Sequence, residues 1–149
     1  MEKSKTTGKK VLKTMLRFAA GFLIFFVLYS LLSVWMWGID AGKRLPDWET
    51  VVQAEVWSSD AGQARIESRT LTRPQDITSA CALLALYCDY HLIYMGVEDV
   101  PRLTVVMTLE DGSAYTVAVG NESVNFNGTF KGLRNKDAAK ILTDVLLAD

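Results

Sequence analysis

Three residues of the chain, Cys81, Cys88 and His91, carry side chains that can bind a metal ion or support nucleophilic catalysis. On one helix, intervals of seven and three positions would place them roughly on the same side. A zinc site needs a fourth ligand, and its cysteines are usually only two to four residues apart. A thiol–imidazole pair needs an orienting third group and an open cleft. We therefore predict no catalytic, cofactor-binding or metal-binding residues and expect both cysteines to be buried as small apolar side chains.

Other catalytic patterns are weak. The carboxylate pairs Glu98–Asp99 and Glu110–Asp111 lie in predicted loops or turns, where solvated acidic residues are common. No serine lies in a GxSxG motif, and the sequence contains no phosphate-binding glycine loop. A helix with cysteines seven positions apart separates them by about 10 Å, too far for a disulfide. The sequence therefore names no reaction.

The longest apolar stretch of the chain runs from residue 18 to residue 39 without a charged side chain. As a helix it would measure about 33 Å, enough to cross the roughly 30 Å hydrocarbon core of a bilayer. Signal peptides that are removed have apolar regions of only about 7–15 residues, and Ala41 with Ile39 before it is a poor cleavage site. We therefore predict that residues 18–39 are a transmembrane signal anchor in the lipid bilayer, with a removed signal peptide as the alternative.

Charge is distributed unevenly on the two sides of this stretch. Residues 1–17 contain six basic residues and one acidic residue, whereas residues 40–149 contain ten basic and sixteen acidic residues. The positive-inside rule predicts that residues 1–17 form a cytoplasmic tail next to anionic lipid and that the C-terminus lies outside the cell. Trp35 and Trp37 would then belong to an aromatic belt at the outer interface. The acidic remainder argues against nucleic acid as a partner.

Beyond the apolar stretch of residues 18–39, alternating apolar residues predict β-strands. Val52, Ala54 and Val56 share one side of a first strand, and Ala64, Ile66, Ser68 and Thr70 share one side of a second, with charges opposite. Two β-rich runs within residues 102–120 flank a turn at Glu110–Gly112, which predicts a hairpin. Val124 and Phe126 predict a further strand before the Asn127–Gly128 turn, and Thr129 and Phe130 can begin a short strand after it.

Two helices complete the predicted domain. The first begins near Pro74, and its apolar stripe consists of Ile77, Ala80, Cys81, Leu84 and Cys88. This helix is apolar nearly all round, so we expect it to be largely buried. A second membrane span over residues 77–97 is disfavoured because Asp89 and His91 would lie in lipid. The last helix follows Asn135 as a capping residue and has an apolar face of Ala138, Ile141, Leu142, Val145 and Leu146.

The element order β-β-α-β-β-β-α predicts an α+β fold in which a mainly antiparallel sheet packs against two helices. We assign residues 40–48 to a juxtamembrane linker and residues 49–149 to an extracytoplasmic domain. The first functional hypothesis is a single-pass cell-membrane protein whose outer domain is a non-enzymatic binding or accessory module for an envelope protein or ligand. The alternatives are a subunit of a larger membrane complex with contacts through the span, or a metal- or thiol-dependent enzyme using Cys81, Cys88 and His91.

Overall fold

A computed structural model describes residues 2–60, 65–97 and 99–148, and within its first helix it describes side chains for residues 12–33. The chain divides into two compact units, residues 1–37 and residues 38–149. Helix α1 (Glu2–Trp37) makes up the first unit. The predicted strand residue Ala64 and the predicted loop residue Glu98 lie outside the described residues, as do the side chains of Trp35 and Trp37.

Helix α1 contains a 22-residue segment, Leu12–Ser33, that is long and apolar enough to cross a membrane, and none of it is buried in the structure. Membrane anchors and signal sequences share this length and composition. The helix ends at Trp37, two residues before the predicted end of the span at residue 39. Gly38 follows with a φ of 77°, a left-handed conformation that glycine adopts without steric cost.

The second unit is an α+β domain with an antiparallel sheet, as predicted. The described strands are β1 (Val51–Ser59), β2 (Arg65–Leu71), β3 (Leu103–Leu109), β4 (Ala114–Val119), β5 (Ser123–Phe126) and β6 (Thr129–Gly132). They form one sheet in the order β2-β1-β3-β4-β5-β6, with all neighbours antiparallel. Helices α2 (Pro74–Tyr87) and α3 (Ala138–Leu146) accompany the sheet, together with 3-10 helices at Ala41–Lys43 and Trp48–Thr50.

The predicted order was wrong by one strand, because the described sheet has six strands and the prediction had five. Asn127 and Gly128 both have positive φ, 48° and 91°, which is the backbone of a type I′ turn. This turn reverses the chain tightly enough for Thr129–Gly132 to pair with β5 as strand β6. The sequence indicated this turn and a short strand beginning at Thr129 and Phe130, but four residues contain too few alternating positions for that segment to be counted among the predicted strands.

The core lies between one face of the sheet and the two helices. Val56, Val105, Val117 and Phe126 occupy successive strands of one cross-strand row, and all four side chains are buried. Both α2 and α3 contact β1 and each other, so they cover the same face. A neighbouring row on the opposite face is formed by Trp57, Thr104, Ala118 and Asn125, which are half-buried.

Helix α2 has the predicted inner stripe but is not buried all round. The whole stripe from Ile77 to Cys88 lies in the core, whereas Leu86 on the outer side of α2 is 67% exposed. A domain of two layers covers only one side of each helix, so apolar residues on the outer side stay at the surface. With 14 residues, α2 measures about 21 Å, which is too short to cross a bilayer.

The side of β2 that faces the helices is the opposite one to the uncharged side that its sequence pattern indicates. Leu71 pairs with Ala54 and is buried on the helix-covered face, while Ile66 on the other face is 62% exposed. Shifting a strand by one residue exchanges its faces. The burial of Leu71 in the core determines which side of β2 faces the helices. The sequence of an edge strand with few apolar residues gives little indication of this side.

The segment predicted as a linker, residues 40–48, packs on the domain. Ala41 is fully buried, and its N–H donates to Oδ1 of Asp89 at 3.3 Å. Asp40 and Asp47 accept hydrogen bonds from backbone N–H groups two residues later, which caps the two 3-10 helices. The chain is therefore fixed to the domain from its first residues after α1.

Candidate functional site

The two cysteines lie in the core and not in a cleft. Cys88 is completely buried and Cys81 is 8% exposed, and both are free thiols. Burial, with the neighbouring Asp89 carboxylate as a second cause, raises the pKa of Cys88 to about 12. Burial also raises the pKa of Cys81. Both side chains are therefore protonated at neutral pH and poor as nucleophiles or metal ligands.

His91 does not share a helix with the cysteines, because α2 ends at Tyr87 and Cys88 is its C-cap. The backbone N–H of His91 donates instead to the carbonyl of Gly132 at 2.9 Å, beside β6. The described residues include no group of three or more histidine, cysteine or acidic side chains placed to hold a metal ion. The structure thus keeps Cys81 and Cys88 on the inner stripe of α2 and places His91 beyond the end of that helix.

The domain contains a polar cleft of about 460 Å³. It lies beside α3, and its lining comes from four segments that are far apart in sequence. These residues are Ser58, Ser59, Asp60, Arg102, Asn121, Lys136, Asp137, Ala139, Lys140, Thr143 and Asp144. Nothing in the sequence marked these residues, because no motif joins them and only the fold brings them together.

Charges of both signs line the cleft. Arg102 pairs with Asp60 at 3.2 Å, and Lys136 pairs with Glu122 at 3.2 Å. Lys140 adds a further exposed cation on α3. The described lining contains neither histidine nor cysteine. Such a surface can hold a polar or zwitterionic group by ion pairs and hydrogen bonds, and it offers no activated nucleophile.

Asp99 is a structural anchor for the loop between α2 and β3. Its carboxylate accepts hydrogen bonds from the N–H groups of Asn121, Glu122 and Ser123 at 2.6, 2.9 and 3.2 Å, and from the Ser123 hydroxyl. A Cβ at Gly120 would lie 2.1 Å from this carboxylate, so only glycine leaves room for it. Partial burial raises the pKa of Asp99, but these hydrogen bonds outweigh that effect and lower it overall.

The second carboxylate pair is the turn that the sequence predicts. Asp111 accepts hydrogen bonds from the backbone N–H and hydroxyl of Ser113 at 2.8 and 2.6 Å, and Gly112 has a φ of 81°. These local bonds lower the pKa of Asp111 and close the β3–β4 hairpin. Neither Asp99 nor Asp111 is arranged as half of an acid–base pair.

One edge of the domain joins three segments of the chain. Tyr90 makes isolated antiparallel bridges to Ile39 on one side and to Leu133 on the other. The Tyr90 ring packs against Phe126 at 5.7 Å between centroids, and its hydroxyl accepts a hydrogen bond from Nε of Arg44 at 3.1 Å. We call this the junction edge, formed by residues 38–45, 89–97 and 129–134. It includes the first residues after α1.

Comparison of the chain with protein-family models, with curated proteins and with solved structures finds no match. Its function therefore has to be inferred from its own residues.

Proposed function

We propose that the protein is a single-pass cell-membrane protein whose N-terminal helix anchors a non-enzymatic binding or accessory domain outside the cytoplasm. The observation that carries the proposal is the uncovered apolar surface of α1. Every side chain between Leu12 and Ser33 is outside the packed interior. Surface of this size stays out of water only in lipid or against another protein.

The charges around the span support the proposed orientation. Six basic residues precede residue 18, and the domain that follows residue 39 has an excess of six acidic residues. Basic residues are retained on the cytoplasmic side, where they also attract anionic lipid. The domain then faces the outside and would present the polar cleft to another envelope protein or to a ligand.

The placement of the thiols supports a binding role over catalysis. Cys81 and Cys88 are buried and protonated, and His91 is separated from them by the end of α2. The polar cleft, in contrast, is open and bears paired charges that a charged segment of another protein can replace. We therefore place partner recognition at the polar cleft.

Site-specific photo-crosslinking in intact cells tests this function. A photoreactive residue replaces Thr143, which lines the cleft, and in a matched variant it replaces Thr70 on β2, at the far edge of the sheet. The proposal expects one defined crosslinked product from position 143 and none from position 70. A second cleft variant carries the photoreactive residue at Lys140. If neither position 143 nor position 140 gives a product beyond that of position 70, the cleft is not the recognition surface.

A further inference from the structure

The loop after α2 exposes an unusual set of apolar side chains. Met95 is 95% exposed, Val97 82%, Ile93 69% and Leu92 45%. Residues 92–97 contain no charged side chain. We call these six residues the apolar loop. A contiguous run of exposed apolar residues on a small domain is characteristic of an interaction site and costs free energy in water.

The apolar loop has a defined shape. The Tyr94 ring meets Phe130 edge-on, with the centroids 6.3 Å apart, and lies so close to Gly132 that a Cβ there would be 2.3 Å from it. The Tyr94 hydroxyl donates to the Val97 carbonyl at 3.0 Å. Tyr94 therefore fixes the loop against β6, while the four apolar side chains around it remain uncovered.

The apolar loop begins next to the residue through which the domain is tethered. Tyr90 pairs with Ile39, and the apolar loop starts two residues after Tyr90. Ile39 is only six positions beyond Ser33, the end of the apolar segment of α1. Six residues span at most about 20 Å even when fully extended. The covalent connection thus keeps the junction edge within reach of the bilayer surface.

From this juxtaposition we propose that the apolar loop, Leu92–Val97, inserts into the lipid–water interface of the membrane that anchors the chain; this rests on the proposed function. Interfacial elements bury their apolar side about 5–10 Å into the headgroup boundary, a depth that a six-residue loop can reach. Tyr94 is suited to that depth, since its ring is apolar and its hydroxyl polar. The tether makes the contact intramolecular, so weak insertion is enough to orient the domain.

Charge at the junction edge favours lipid as the partner. Its three segments contain the four basic residues Lys43, Arg44, Lys131 and Arg134 and only two acidic residues, Asp40 and Asp89, whereas residues 40–149 as a whole are acidic. Basic side chains beside an apolar loop match a lipid surface, whose headgroups carry phosphate groups above an apolar interior. The junction edge thus combines exposed apolar side chains with basic side chains, the two features of an interfacial contact.

Fluorescence of the full-length chain in nanodiscs of phosphatidylcholine and phosphatidylglycerol tests the proposal. Met95→Cys is labelled with an environment-sensitive fluorophore, and Ser68→Cys on β2 is the matched control. Strands β2 and β6 are at opposite edges of the sheet, about 24 Å apart across five strand spacings, and Tyr94 packs the apolar loop against Phe130 of β6. Wild-type protein reports background from the buried cysteines. Lipids with a nitroxide near the top of the acyl chain serve as the quencher.

The proposal predicts that the label at position 95 emits at shorter wavelength and loses most of its intensity to the nitroxide lipid, while the label at position 68 behaves as in water. Adding Ile93→Glu should abolish the quenching at position 95. If the protein co-purifies with the nanodiscs and both labels emit as in water, the loop proposal is overturned and the anchor proposal stands. If the protein does not co-purify with the nanodiscs, the anchor proposal is refuted instead. A position 95 label that is water-like in nanodiscs but shielded in native membranes would assign the loop to a protein partner.

Discussion

The backbones of Ile39 and Tyr90 form an antiparallel pair in which the N–H of each residue donates to the carbonyl of the other, at 2.8 and 3.1 Å. Ile39 is the second residue after α1, and Tyr90 is the third residue after α2. The chain is therefore hydrogen-bonded to the domain immediately after α1. Residues 40–48, which the sequence predicts to be a linker, are part of the folded unit.

This junction predicts that Tyr90 is a stability determinant. The side chain is 4% exposed, its ring packs on Phe126, and Arg44 lies over its face. Tyr90→Ala should lower the free energy of unfolding by about 3 kcal/mol or more, as other buried aromatic truncations do. Urea unfolding of the full chain in mild detergent measures it. Leu86→Ala on the exposed side of α2 is the control, and an equal loss there would contradict the assignment.

Asp99 should stabilise the loop through its hydrogen bonds. Asp99→Asn replaces one acceptor oxygen by a donor, which faces N–H groups that now lack an acceptor. We expect a loss of about 1 kcal/mol or more in the free energy of unfolding. Asp111→Asn provides the matched comparison, because that carboxylate binds only within its own exposed turn. Equal destabilisation of the domain by Asp111→Asn and Asp99→Asn would contradict this role of Asp99.

The pKa of Asp99 predicts a specific acid dependence of stability. Its folded pKa is lowered, whereas the unfolded value is about 3.9. The contribution of Asp99 is therefore complete above that unfolded value and is lost as the pH falls towards the folded pKa. Between pH 6 and pH 3, wild-type protein should lose more stability than Asp99→Asn. The free energy of unfolding is measured by urea titration at each pH. If it falls equally with pH for the two proteins, Asp99 does not titrate as described.

The cysteines should be unreactive in the folded chain. Burial and the raised pKa of both thiols keep the thiolate population low at pH 7–8. A water-soluble maleimide should label native protein far more slowly than urea-unfolded protein, and Cys88 should react more slowly than the slightly exposed Cys81. Single Cys→Ser variants separate the two rates. Rapid labelling of Cys88 in native protein would restore the possibility of thiol chemistry.

Sequence patterns predicted the parts of the fold that periodicity and turn chemistry determine. The inner stripe of α2, the β3–β4 hairpin and the Asn127–Gly128 turn all follow from local spacing and backbone preference. Local spacing does not predict which side of β2 faces the helices, because the burial of Leu71 against residues distant in sequence determines it. His91 was misplaced for a similar reason, since pairing with β6 draws the chain out of the helix after Tyr87.

The polar cleft and the junction edge were beyond prediction from sequence. Each is assembled from short segments separated by tens of residues, and their proximity depends on strand order and on pairs such as Tyr90 with Leu133. Asp99 illustrates the difficulty. As part of an acidic loop pair it is typical of a solvated turn, yet in the fold the β4–β5 turn surrounds its carboxylate with donors.

Protease accessibility in intact cells tests the proposed anchor and its orientation most directly. The full chain carries one tag at each terminus, and membrane and medium fractions are blotted after external protease. We predict a full-length membrane-bound protein that loses only its C-terminal tag. A shorter product in the medium would contradict the account by making the apolar stretch a removed signal sequence, and a protected C-terminal tag on membrane-bound protein would contradict the orientation.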